Sequence, residues 1–111
     1  MSLSSGPLET LELGWLPNLT YLQLEGNALS ALDVSGCPAL TDLNVGENNL
    51  TSLDLTWNES LQELFLSDNP ITSLDIEGNP DLDYLWVDNT SLTTLDVSGN
   101  PLLQHHLADG E

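Results

Sequence analysis

The stretch Leu61-Gln-Glu-Leu64-Phe-Leu66-Ser-Asp-Asn69-Pro-Ile71-Thr-Ser-Leu74-Asp-Ile76-Glu-Gly-Asn79-Pro-Asp81 decides the fold. It contains two nested copies of L-x-x-L-x-L-x-x-N, ten and eleven residues long, which together make a 21-residue unit. Leu19, Leu40, Leu61, Leu82 and Leu103 recur at that period, and the second halves begin at Leu8, Leu29, Leu50, Ile71 and Leu92. The asparagine position reads Asn27, Cys37, Asn48, Asn58, Asn69, Asn79, Thr90 and Asn100, alternating ten and eleven apart without a slip.

Leu-x-Leu is the period-2 alternation of a strand with one buried face. Each half is too short for a strand plus a full helix, and prolines at 17, 38, 70, 80 and 101 interrupt helical continuity. A single unit cannot bury its own leucines. Stacked units can, each touching only its neighbours. The pattern predicts short parallel strands from both halves of each coil, ~4.8 Å apart between coils, with little or no helix. At the corners the backbone turns inward, and an inward Asn offers two donors and an acceptor to groups that water cannot reach.

These repeats resemble the leucine-rich-repeat family, and most closely its nested 21-residue bacterial class, sometimes called IRREKO repeats. The resemblance runs from Leu8 to about Leu103. It implies a right-handed, mainly β solenoid whose first-half strands line a concave sheet, and an asparagine ladder in which Cys and Thr are accepted, so that Cys37 and Thr90 take structural places. It also implies an extracellular or cell-surface setting in a bacterium.

Charge narrows the partners. The 111 residues include 18 Asp and Glu and no Lys or Arg, a formal charge of −18, where an ordinary domain this long carries on the order of a dozen Lys and Arg. Nucleic-acid binding needs cations to displace counterions, so no nucleic-acid partner is expected. Anionic membranes are disfavoured for the same reason, and no apolar run approaches the roughly 18 residues of a membrane span. Disorder fits the charge, but not the regular placement of the 40% hydrophobic residues. The single Cys37 excludes an internal disulfide framework, and no basic neighbour activates its thiol.

With the register known, outward residues form columns, one per coil. On the first-half strands one column is Tyr21, Asp42, Glu63 and Tyr84, extending toward His105, and the next is Gln23, Asn44, Phe65 and Trp86. Four of the six aromatic residues fall there. Exposed Trp and Tyr are favoured anchors of protein interfaces, although neighbouring rings also stabilise a sheet by packing on each other. The expected protein-binding set is therefore Tyr21, Gln23, Asp42, Asn44, Glu63, Phe65, Tyr84 and Trp86. Trp15 and Trp57 are expected to cover corners of the core.

On the second halves Glu12, Asp33, Asp54, Asp75 and Asp96 form an acidic column beside Thr10, Ala31, Ser52, Ser73 and Thr94. Like charges at strand spacing need hydration, hydrogen bonds or cations. Asp33, Asp54, Asp75 and Asp96 are weak candidate Ca²⁺ ligands, because two carboxylates and two hydroxyls per interval fall short of six to eight oxygens. No cofactor is expected. No catalytic pairing, phosphate loop or zinc spacing appears, and the only histidines, His105 and His106, are adjacent. The chain reads as non-catalytic.

Residues 1–7 read as a disordered or artificially appended N-terminus without the features of a secretory signal, 8–103 as a solenoid of about four and a half coils, and 104–111 as a frayed end or a truncated further repeat. Neither end shows an evident cap, so the expectation is first a fragment of something longer and second a homodimer through the C-terminal edge. The leading expectation is a protein-interaction module of a bacterial surface or secreted protein. The alternatives are a structural spacer without a ligand and a cation-stabilised acidic module.

Overall fold

The computed structural model describes residues 1–3, 8–103 and the backbone of 105–107. Five three-residue strands form one parallel sheet in chain order: β1 (Tyr21–Gln23), β2 (Asp42–Asn44), β3 (Glu63–Phe65), β4 (Tyr84–Trp86) and β5 (His105–Leu107). The pairing register is the sequence period itself, with Leu22 opposite Leu43, Leu43 opposite Leu64, Leu64 opposite Leu85 and Leu85 opposite His106. The central leucine of each of β1 to β4 is fully buried, and its two neighbours face outward. Among the described residues there is no helix, and hence none long and apolar enough to cross a membrane.

The core is the inward face of successive coils. Leu24, Val45, Leu66 and Val87 follow the strands inward, and Leu40, Leu61 and Leu82 precede them, all completely buried. Dependence on the neighbouring coil is visible in one column: Val34, Leu55 and Ile76 are 0%, 1% and 1% exposed, whereas Val97 in the last described second half is 36% exposed. Burial here comes from stacking.

The expectation of strands from both halves is corrected. All five strands come from first-half positions, and the described second halves form turns and irregular backbone. Successive second halves exchange isolated backbone bonds, such as Asn49 N–H to Leu29 O (2.8 Å) and Thr72 N–H to Thr51 O (3.3 Å), in place of a continuous ladder. The Oδ1 atoms of Asp33, Asp54, Asp75 and Asp96 accept the backbone N–H groups of Ser35, Thr56, Glu77 and Ser98, at 2.9, 3.0, 2.9 and 2.9 Å. These bonds tie each carboxylate to its own turn, as Asn44 is tied to Gly46 N–H in the first halves.

The corners carry two ladders of different geometry. On the first-half side, Asn48 Nδ2 donates to Val45 O (2.9 Å) in its own coil and to Leu24 O (3.0 Å) in the coil before, while its Oδ1 accepts the Leu29 N–H (3.0 Å). Asn69 repeats this with Leu66 O (3.0 Å), Val45 O (2.9 Å) and Leu50 N–H (2.9 Å). Asn27 donates to Leu24 O and Leu3 O. Thr90 is shorter: its hydroxyl donates to Val87 O at 2.8 Å within its own coil.

On the second-half side each amide donates to two carbonyls of preceding coils. Asn58 reaches Val34 O and Cys37 O (both 3.0 Å), Asn79 reaches Leu55 O (3.2 Å) and Asn58 O (2.8 Å), and Asn100 reaches Ile76 O (2.8 Å) and Asn79 O (3.0 Å). Their Oδ1 atoms are buried without a hydrogen-bond partner among the described residues. Cys37 enters this ladder through its backbone carbonyl. Its thiol is buried and free, and burial, then the Asp33 charge, pushes its pKa up.

Two further features differ from the sequence reading. Met1–Leu3, expected within a disordered 1–7 segment, lie parallel to β1: Leu3 N–H donates to Gln23 O (2.7 Å) and Gln23 N–H to Met1 O (2.8 Å). Residues 4–7, 104 and 108–111 lie outside the described set. Trp15 and Trp57, expected to cover corners of the core, are 69% and 63% exposed, because the asparagine beside Trp57 and Leu16 beside Trp15 turn inward in their place. The turn after each of β1 to β4 also holds a left-handed residue. Gly26 (φ 78°) supplies it first, then Glu47 (φ 54°), Asp68 (φ 63°) and Asn89 (φ 56°), although that conformation disfavours side chains with a Cβ.

Candidate functional site: an aromatic and acidic strand face

Because the register is one residue to one residue, outward side chains of neighbouring strands stand side by side. Phe65 on β3 and Trp86 on β4 are paired positions, and their rings stack with centroids 4.2 Å apart and planes 10° from parallel. Tyr84, two residues along β4, stacks on Trp86 at 5.6 Å and 12°. All three rings are half-buried. The fourth expected anchor, Tyr21, is exposed on β1, about three strand spacings or ~14 Å from β4. The structure therefore brings three of the four anchors together and leaves Tyr21 outside the group.

The polar members divide as well. Gln23 Oε1 accepts the Glu25 N–H (2.9 Å), and Asn44 Oδ1 accepts the Gly46 N–H (3.0 Å). Both amides commit their oxygen to the turn that follows the strand. Phe65 and Trp86 occupy the same column and have no such acceptor, so only they present an apolar surface there. Asp42 accepts from the Thr41 hydroxyl (2.8 Å). Beside it, Glu63 is held above the ordinary carboxyl range by burial first, then by the Asp42 and Asp83 carboxylates. One oxygen of Asp83 is buried with no hydrogen-bond partner among the described residues.

A second group of carboxylates, absent from the sequence-based set, flanks the stack at the other end of the strands. Glu25, Glu47, Asp68 and Asp88 line a shallow depression of about 220 Å³ together with Asn44, Gly46, Phe65, Ser67 and Trp86. Glu47 is raised chiefly by its hydrogen bond and charge repulsion with Glu25, with Asp68 adding to it. Glu47 and Asp68 escaped the sequence reading because their column is the left-handed corner, which only Gly26 announces by residue type. Their spacing of 21 residues was the available signal. Larger depressions of about 450 and 330 Å³ lie on the second-half side, lined by Asp75, Glu77 and neighbouring residues, and hold no aromatic ring.

In the acidic column the carboxylates of Asp33, Asp54 and Asp96 lie below their ordinary pKa, first because the hydroxyls of Ser35, Thr56 and Ser98 donate to them, then because the backbone amides do. The supporting hydroxyls thus come from two residues on. Among the described residues no three His, Cys, Asp or Glu side chains converge as a metal site.

These opposed shifts predict the pH dependence of stability. Glu47 and Glu63 have raised folded-state values, so the folded protein binds protons more readily than the unfolded chain. Stability should therefore rise as pH falls from neutral toward the ordinary glutamate value of about 4.3. Asp33, Asp54 and Asp96 have lowered values, and their contribution is lost as pH falls below about 3.9 and through those values. Thermal melts across this range should show a maximum between roughly pH 4 and 5. A melting temperature that falls steadily from pH 7 downward would contradict the assignment.

Comparison with known proteins agrees with this architecture. A family profile described as "Leucine rich repeat" matches residues 17–71, and a second, "Leucine Rich repeats (2 copies)", matches 59–104. A search of curated protein sequences returned no match. Among solved structures, the functional domain of InlJ from Listeria monocytogenes, described as including a cysteine ladder, superposes with a TM-score of 0.94 at 28% identity, covering 98% of this chain and 24% of that one. A leucine-rich-repeat protein of Leptospira interrogans gives 0.86 at 26% identity (98% and 30% covered), and internalin InlF of Listeria monocytogenes gives 0.72 at 27% (82% and 28%). The chain thus spans about a quarter to a third of the length of these proteins. Strands paired at the sequence period, amide side chains tying the corners and two profiles that together run from 17 to 104 have one common explanation: this chain belongs to the leucine-rich-repeat family.

Proposed function

We propose that this chain is a non-catalytic protein-binding module of a bacterial surface or secreted protein, and that it engages its partner through the strand face bearing Phe65, Tyr84 and Trp86. The observation that carries the reading is the continuous stack of three half-buried rings, set on strands whose positions are determined by the core behind them. Rigid, partly exposed aromatic side chains lose little entropy on binding and are favoured as interface anchors. Asp42 and Glu63 stand beside the stack in the neighbouring column and would contribute polar contacts. Likeness to bacterial internalins supports the setting.

The test is the double variant Phe65→Ala/Trp86→Ala. Each side chain points away from the core, so circular dichroism and melting should stay close to wild type. Capture of a partner identified from host or neighbouring-cell extracts should weaken by about a hundredfold or more, the loss typical of removing two interface anchors. Undiminished capture by a folded double variant would refute the assignment and favour a spacer without a ligand of its own.

A further inference from the structure

The depression beside the aromatic stack has a chemistry that the ring cluster alone does not explain. Glu25, Glu47, Asp68 and Asp88 line it, and the chain contains no Lys or Arg to neutralise them. Gly46 keeps it open: a Cβ at that position would sit 3.3 Å from Asn44 Oδ1 and 3.4 Å from Ser67 O. The rings of Phe65 and Trp86 form part of the lining. The volume, about 220 Å³, is below the roughly 300 Å³ at which small-molecule sites begin, but it suits one inserted side chain.

We propose that this depression receives an arginine side chain from a basic segment of the partner, its guanidinium lying against the Phe65–Trp86 rings and hydrogen-bonded to the surrounding carboxylates. The inference rests on the reading that this strand face binds a protein, and adds the chemistry of the segment bound. Arginine fits better than other cations for stated reasons. Its plane stacks on aromatic faces, which a hydrated ammonium does less well. Its five donors, fixed in one plane, match several carboxylate oxygens at once. A divalent metal would gain nothing from the rings, and among the described residues no three carboxylates are placed to hold one metal ion. The crowding around Glu47, whose carboxyl is pushed up by Glu25 and Asp68, is relieved when a cation enters.

The experiment uses three blocked, fluorescently labelled peptides of alternating arginine and glycine, lysine and glycine, or glutamine and glycine, titrated by anisotropy at low and physiological ionic strength. Because any cationic peptide is attracted to a charge of −18, two variants of equal charge are compared. Asp68→Asn/Asp88→Asn alters the depression, yet leaves an oxygen to accept from Asn89 Nδ2 and the Ser67 hydroxyl. Asp54→Asn/Asp75→Asn alters the second-half column instead.

The arginine peptide should bind the wild-type protein more tightly than the lysine peptide and far more tightly than the glutamine peptide. Its affinity should fall about tenfold in the depression variant and less than about twofold in the control variant. Equal losses in the two variants, or equal binding of lysine and arginine peptides, overturn the inference. If arginine-peptide binding is insensitive to the depression variant while Phe65→Ala/Trp86→Ala abolishes partner capture, the inference fails and the protein-binding reading stands. If the peptide result holds while partner capture survives the aromatic substitutions, the depression is an arginine site and the assignment of the partner-binding face fails.

Discussion

Replacing Asn69 by Ala is expected to cost about 3 kcal/mol of stability, more than twice the cost of the same change at Asn58. The two side chains are both buried and occupy equivalent sequence positions in alternate halves. Their partners differ. Asn69 Nδ2 is the hydrogen-bond donor to Leu66 O, and its Oδ1 is the acceptor for Leu50 N–H. Truncation leaves both groups buried without a partner, at about 1–3 kcal/mol each. Val45 O is protected because Asn48 also donates to it.

At Asn58 the recipient carbonyls have other donors, Cys37 N–H on Val34 O (3.1 Å) and Leu40 N–H on Cys37 O (3.2 Å). Truncation there also removes an Oδ1 that is already unpaired. Its cost should be about 1 kcal/mol. Urea denaturation followed by circular dichroism measures both. Equal losses would mean that the two ladders contribute alike and that the hydrogen-bond geometry does not control stability.

Leu64→Ala should destabilise by about 2–5 kcal/mol, whereas Val97→Ala should cost below about 1 kcal/mol. Leu64 is completely buried between Leu43 and Leu85 on the flanking strands, so its truncation opens a cavity that two coils must share. Val97 is already 36% exposed, and removing its methyl groups returns little surface to water. A solenoid has only neighbour contacts, so the Leu64 variant should also unfold less cooperatively as the coils on its two sides become uncoupled. A sharp, unshifted transition in Leu64→Ala would contradict this account of the core.

Much of this was legible from residue order. Leu22, Leu43, Leu64 and Leu85 are inward, and Tyr84, Phe65 and Trp86 outward, because a period-2 alternation leaves a strand only two faces. The 21-residue period also yields the strand register directly, since paired residues occupy identical places in successive coils. What escaped was how each half-coil bonds to the coils beside it. The second halves carry the same L-x-L alternation as the first, yet the described ones form no strand and exchange only isolated backbone bonds between coils. Nothing in the alternation distinguishes a half that pairs from one that does not, and the capture of the amide two residues on occurs in both, by Asn44 as well as Asp54.

The exposed indoles show the same limit from the other side. Trp15 and Trp57 precede inward-turned residues, and only one of two adjacent side chains at a tight corner can enter the core. The left-handed corner at Glu47 was equally hidden, because tertiary packing imposes a backbone conformation that its residue type disfavours.

Residue order alone determined the class of fold, the inward leucines, the outward columns and the absence of Lys and Arg, all of which follow from periodicity and composition. Only the tertiary structure decided which halves become strands, which asparagine oxygens find a donor, and that Glu25, Glu47, Asp68 and Asp88 gather around Gly46. The physical reason is the same in each case. A column is a property of the repeat, but a contact between columns depends on how the chain turns each corner, and that turn is set by hydrogen bonds formed between coils.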